Sequence, residues 1–130
     1  RRFSEGGGSF VWGEDHRGRP VPGLRYDRGG GLSLQQTVSV RPGFRYTVGG
    51  ALRAIGVEGF ACLVVAFLDQ TDGLLCEAAE SPRGATFTGS TEWTQDQFEV
   101  VAPERAVAAD VRVFLHGSGE VYAKQLRFFQ

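Results

Sequence analysis

Apolar and polar residues alternate with a period of two along most of this chain, and glycine or proline interrupts the pattern at short intervals. Leu32, Leu34, Gln36, Val38 and Val40 share one face of an extended segment, with Ser33, Gln35, Thr37 and Ser39 on the other, until Arg41-Pro42-Gly43 stops it. Tyr46, Val48, Gly50 and Leu52 repeat the pattern to the neighbourhood of Gly56. From Ala61 to Leu68 the chain is apolar on both faces, which predicts a strand covered on both sides. Asp69-Gln70-Thr71-Asp72-Gly73 predicts a hairpin loop, with Leu74 to Cys76 as a short return strand.

Beyond the loop Ser81-Pro82-Arg83-Gly84, the segments Thr86 to Ser90 and Gln97 to Val101 read as extended, separated by the Trp93 region. Pro103 and the small residues Ala106 to Ala109 lead into Val111, Val113 and Leu115, which alternate with Arg112, Phe114 and His116. Gly117-Ser118-Gly119 predicts a second hairpin and Val121 to Phe129 a closing strand. With about nine or ten short strands and no amphipathic helix, the expected fold is an all-β, two-sheet antiparallel sandwich of jelly-roll type. Gly6-Gly7-Gly8 and Gly29-Gly30-Gly31 lie close to Phe3, Phe10, Trp12, Leu24 and Tyr26, so they read as loops within the domain rather than linkers.

A length of 130 residues suits one domain, residues 1–130, with one hydrophobic core. The 42% hydrophobic and 22% charged content is that of a globular chain. No apolar run reaches the roughly 18 residues of a membrane-spanning helix. Fourteen basic and fifteen acidic residues leave a net charge of -1, so the overall electrostatic footprint of a nucleic-acid binder is missing. Nineteen Gly, ten Phe and no Met suit turn-rich β structure, and the basic set is all Arg except Lys124. The absence of Met and the Arg1-Arg2 start lead us to expect a module excised from a longer chain.

Catalytic signatures are weak. If the Asp69 to Gly73 hairpin pairs Leu68 with Leu74, Cys62 and Cys76 stand about 13 Å apart along the strand direction, beyond disulfide reach, which favours two buried thiols. Two isolated Cys without CxxC spacing do not form a zinc site. His16 and His116 have no ligand spacing, no G-x-S-x-G elbow frames a serine, and the Gly runs lack the Lys-Ser/Thr of a P-loop. Paired carboxylates for glycoside hydrolysis need a deep cleft built by a larger scaffold. We therefore expect no enzymatic activity.

Several segments resemble a known pattern. The stretch L-Q-Q-T-V-S-V-R-P-G-F-R-Y-T-V ending at Val48 is similar to the strand, Gln, strand, Pro-Gly, Tyr, strand signature of galactose-binding-like jelly rolls. V-A-F-L-D-Q-T-D-G-L-L, T-E-W-T-Q-D-Q-F-E-V-V-A-P and G-S-G-E-V-Y-A-K-Q-L-R-F follow in the matching order. The chain resembles carbohydrate-binding modules of the family 4, 9, 16 and 22 type over nearly its whole length. The resemblance implies a non-catalytic, monomeric module that binds a polysaccharide or oligosaccharide, tethered to a glycoside hydrolase or lyase in a secreted, extracellular protein. The alternative is a structural or protein-interaction sandwich of the same architecture with no glycan site.

Such sites join aromatic platforms to planar polar groups. The platforms expected here are Trp12, Tyr26 and Trp93, the first two in Gly-rich loops where a ring stays exposed, and the polar partners Arg53, Gln36 and His116. The near-neutral charge suits a neutral glycan better than a polyanion. Many relatives of this type hold a structural calcium between a Phe-Glu-x-Gly segment and an Asp of the closing strand. Phe3-Ser4-Glu5-Gly6 stands for the first, but Lys124 occupies the Asp position, where an ammonium repels a cation. No cofactor is therefore expected, and Lys124 is instead expected to pair with Glu5, tying the chain start to the last strand.

Overall fold

A computed structural model of the chain describes residues 2–3, 8–15, 17–26, 31–71, 73–75 and 81–130. These form the strands β1 (Arg2–Phe3), β2 (Gly8–Glu14), β3 (Pro20–Tyr26), β4 (Gly31–Ser39), β5 (Arg45–Leu68), β6 (Phe87–Gly89), β7 (Thr94–Val101) and β8 (Ala108–Phe129). Two of them organise the rest. β5 and β8 pair antiparallel from Thr47↔Phe129 to Leu68↔Ala108, and every other strand joins one half of this ribbon. The first half of β5 and the second half of β8 carry β7 on one side and β3, then β2, on the other. The opposite halves carry β6 on one side and β4, then β1, on the other. One hydrogen-bonded sheet is thus folded into two layers, called here the first sheet (β7-β5-β8-β3-β2) and the second sheet (β6-β5-β8-β4-β1).

The fold line is written in glycine. Gly56 and Gly59 of β5 have φ of 59° and 115°, and Gly117 and Gly119 of β8 have φ of 104° and 119°. Positive φ is open to glycine at little steric cost. Gly59 and Gly117 are also cross-strand partners, and a Cβ on either would overlap the carbonyl oxygen of His116 or Glu58. The register shifts between Ile55 and Glu58, a bulge that bends the ribbon and reverses the parity of β5. Tyr46, Val48, Leu52 and Ala54 point inward before it; Val57, Ala61, Leu63, Val65 and Phe67 do so after it.

Two expectations are corrected here. Gly117-Ser118-Gly119 is not a hairpin but the bend within β8, because a positive-φ glycine serves a bulge as well as a turn. The segments ending near Gly56 and starting at Ala61 are likewise one strand, which reduces the expected nine or ten strands to eight among the described residues.

The inward residues of both layers form two contiguous clusters. Leu52, Leu63, Val113, Leu115 and Val121 anchor one, and Val48, Val65, Phe67 and Val111 the other. Burying each such side chain contributes about 1.5–3 kcal/mol. The Asp69 loop closes as anticipated: Leu68 pairs with Leu74, and Asp69 Oδ1 accepts from the amides of Thr71 and Gly73, each at 2.9 Å. Cys62 is a buried free thiol, and burial pushes its pKa up. Cys76 lies outside the described residues.

Candidate functional site

The outer face of the first sheet is a groove with a floor of small residues. β-strand alternation turns Gly49, Ala51 and Arg53 of β5 outward, opposite Arg127, Lys124 and Tyr122 of β8. Tyr122 in turn faces Gly23 of β3, which faces Val11 of β2. The Tyr122 ring lies flat across Gly13 and Gly23, so that a Cβ at Gly13 would come within 2.6 Å of the ring and one at Gly23 would overlap it. Two glycines far from the tyrosine in sequence thus lower the floor under it. Tyr122 is itself only 8% exposed, and its hydroxyl donates to Glu120 Oε1. Burial, then this carboxylate, raises its pKa. Glu120 also pairs with Arg25, Nε to Oε2 at 3.5 Å.

Trp93 walls the groove on the β7 side. The pairs Ala51↔Gln95 and Leu52↔Thr94 carry the chain so that Trp93 and Gln95 share the outer face with Arg53. Lys124 Nζ stands 4.4 Å from the centroid of the Trp93 ring, in cation–π range. Trp93 Nε1 and Arg53 Nε are buried donors with no hydrogen-bond partner among the described residues. Next to Trp93 a cavity of about 270 Å³ is lined by Arg17, Arg19, Ala51, Gln95, Lys124 and Gln125.

The two arginines reach it from the β2–β3 turn, which Asp15 builds. Its Oδ1 accepts from the backbone amides of Arg17 (2.8 Å) and Arg19 (2.9 Å), while its Oδ2 pairs with Arg19 Nε at 3.1 Å. The Arg19 amide, then the Arg17 amide and the Arg19 guanidinium, hold the Asp15 carboxyl at a pKa of about 2. Gly18, with φ 75°, supplies the left-handed residue that the turn needs.

Of the six residues singled out from the sequence, the structure brings together Arg53 and Trp93. Trp12 is 63% exposed on the edge strand β2, but alternation sets it on the opposite side of that strand from Gly13 and the groove. Tyr26 is 9% exposed and lies in the core beside Leu24, because strand alternation in β3 turns both inward; the exposed ring expected there is not found. Gln36 is exposed at the mouth of a crevice of about 230 Å³ between the two layers, with Val38, Val111 and Phe128. His116 is exposed on the outer face of the second sheet, 5.4 Å from Phe60 and 6.2 Å from Phe114 between ring centroids.

Tyr122, Arg25, Glu120, Gln95, Arg17 and Arg19 escaped the sequence reading. The alternation Val121-Tyr122-Ala123 marks Tyr122 as outward, but its glycine floor is visible only once β2, β3 and β8 are aligned. Around Lys124 the donor set does not fit calcium, which wants six or more oxygens. An ammonium, two guanidiniums and two amides line that place. Glu5, the partner expected for Lys124, lies outside the described residues. Among those residues no group of three His, Cys, Asp or Glu could hold a metal ion.

No family profile matches the sequence, and no curated protein matches it either. In three dimensions the fold is shared widely. The enzymatically active domain of tailspike protein 4 of bacteriophage CBA120 superposes with a TM-score of 0.79 at 14% identity, over 98% of this chain and 19% of that one. The CBM22-1-GH10 modules of the Clostridium thermocellum endo-1,4-beta-D-xylanase 10B, complexed with xylohexaose, superpose with a TM-score of 0.67 at 16% identity, over 95% of this chain and 25% of that one. The C-terminal family 22 carbohydrate-binding module of the same enzyme gives 0.67 at 13% identity, over 98% of this chain and 84% of that module. The chain thus spans a fifth to a quarter of the first two proteins and most of the third. Its fold is that of the family 22, 16 and 4 carbohydrate-binding modules.

Proposed function

We propose that this domain is a non-catalytic carbohydrate-binding module whose site is the groove on the outer face of the first sheet. The observation that carries the reading is the groove itself: Gly13, Gly23, Gly49 and Ala51 form a shallow floor, Trp93 gives an aromatic wall, and Arg53, Gln95 and Lys124 ring it with planar amide and cationic donors. Sugars present apolar C–H faces rimmed by hydroxyls, so an indole wall with fixed donors beside it suits them. Arg53 Nε and Trp93 Nε1, which have no partner among the described residues, are donors that a hydroxyl oxygen can satisfy. Glu120, the carboxylate of the groove floor, is engaged by Tyr122 and Arg25, which suits a positioning role rather than acid–base chemistry.

The fold supports the same reading, since solved neighbours of this architecture include a xylan-binding domain and the joined CBM22-1-GH10 modules of a xylanase complexed with xylohexaose. In the tailspike and the xylanase the fold is one part of a longer chain, which supports a module tethered to a catalytic partner, and the proposal extends to work outside the cell. Affinity gel electrophoresis against a polysaccharide panel tests the proposal. Retardation by at least one polymer is expected, with Trp93→Ala and Arg53→Ala each weakening it about tenfold or more. Equal retardation of wild type and both variants would remove the groove from the site. A second reading, a protein-docking sandwich, rests on Phe60, Phe114 and His116 of the second sheet, and retardation by no polymer of the panel would favour it.

A further inference from the structure

The fold separates charges that cancel in the composition. A net charge of -1 for the whole chain conceals a cationic groove. Arg17, Arg19, Arg25, Arg53, Lys124 and Arg127 all stand on the outer face of the first sheet or on the turn beside it. The described carboxylates among them are Asp15, bound to Arg19; Glu120, bound to Arg25; and Glu92, which shares a cavity with Arg53. Arg45 and Glu99, at the far end of the same face, pair with each other at 3.2 Å. Six cations thus face three acids. The cations lie closest together in the cavity beside Trp93, whose lining includes Arg17, Arg19 and Lys124.

Resting on the carbohydrate-binding reading, we propose that the glycan taken by this groove is anionic. One sugar ring lies against Trp93, and its carboxylate or sulfate is received between Arg17, Arg19 and Lys124. A guanidinium matches a planar oxyanion with paired N–H donors, and chain-internal hydrogen bonds have already ordered the turn that presents Arg17 and Arg19. Gln95 and Gln125 line the same cavity and suit the ring hydroxyls. Anionic groups further along the chain meet Arg53 and Arg127. A repeating charge on the polymer would therefore be read along the groove.

The test uses affinity gels cast with polygalacturonate, alginate or chondroitin sulfate and, in parallel, with xylan, galactan or no polymer, at roughly 50 and 200 mM salt. The expected result is retardation by at least one acidic polymer about tenfold stronger than by any neutral one, falling severalfold at the higher salt. Polygalacturonate and alginate against chondroitin sulfate separate a carboxylate from a sulfate. Arg17→Gln, checked for an unchanged melting curve, should weaken acidic retardation about threefold to tenfold and leave any neutral retardation as it was, while Lys124→Gln should weaken acidic retardation by at least as much. Neutral polymers retarding the protein as strongly, without salt dependence, would overturn the inference and leave the module reading standing. Retardation in no gel would overturn both. Equal retention of single-stranded DNA would show a general polyanion surface and overturn the inference.

Discussion

The two halves of β5 have opposite fates on their outer faces. Before the Gly56 to Gly59 bulge the outward residues are Thr47, Gly49, Ala51, Arg53 and Ile55, and they form one side of a polar, cationic groove. After it they are Phe60, half-buried, and then Cys62, Val64, Ala66 and Leu68, all buried. β8 follows suit, with Tyr122 and Lys124 in the first sheet and Asp110, Arg112 and Phe114 in the second. There Asp110 is buried, accepting from Gln35 Nε2 at 3.2 Å, Arg112 at 3.3 Å and Thr37 Oγ1. Its lone pairs are spent inside the protein. Of the buried donors without a partner among the described residues, two belong to the groove, Arg53 Nε and Trp93 Nε1, and one to the second sheet, Arg112 Nε. A sheet face whose carboxylate is spent on internal partners is suited to stability, and one that leaves more donors in reserve is suited to a ligand.

The sharpest way to break this contrast is at the fold line. Gly117→Val should abolish folding, and Gly117→Ala should cost about 1–3 kcal/mol for φ alone plus the overlap with Glu58, read as a lower denaturation midpoint in urea. If Gly117→Ala were as stable as wild type, the ribbon would not bend there. Next come two aromatics on opposite faces. Phe114→Ala should lose about 1–3 kcal/mol of stability and keep full glycan retardation, whereas Trp93→Ala should lose retardation for a smaller stability cost. A swapped outcome would mean that the sheets have been assigned the wrong roles.

A smaller effect concerns the turn that feeds the groove. Asp15 has a depressed folded-state pKa of about 2, so its contribution to stability is complete above its ordinary value of 3.8 and is lost as pH falls through about 2. Thermal melts of wild type and Asp15→Asn should therefore differ at pH 6 and converge near pH 2. A constant gap across that window would show that the carboxylate charge does not hold Arg17 and Arg19. The smallest effect belongs to the closed face. In a Cys76→Ser background the Cys62 thiol, whose pKa burial raises, should react slowly with a disulfide reagent in the native state and rapidly in urea. Fast native labelling would mean that this face is open.

Much of the fold was legible because strand alternation is a local property. Tyr46, Val48 and Leu52 face the core as their spacing demanded, Ala61 to Leu68 is covered on both sides, and the Leu68 to Leu74 pairing follows from the Asp69 turn. Glycines were harder to read. Gly117-Ser118-Gly119 carries the same positive-φ chemistry in a hairpin as in a bulge, and only the partner strand tells them apart. Arg53 and Trp93 were recognisable by residue type. Tyr26 turns inward and Trp12, exposed as expected, stands off the groove, because an aromatic beside glycines gives no sign of which side of its strand it occupies.

The sequence by itself determined that this chain is an all-β sandwich with a continuous apolar interior, since periodicity and turn chemistry act between near neighbours. Its balance of fourteen basic and fifteen acidic residues pointed toward a neutral partner. Strand pairing brings six of those cations into one groove with three of the described acids, and sets Gly13 and Gly23 beneath Tyr122. The physical reason is distance along the chain. A groove is made by strands paired across nearly 100 residues, and neither composition nor alternation carries information about which of them become neighbours.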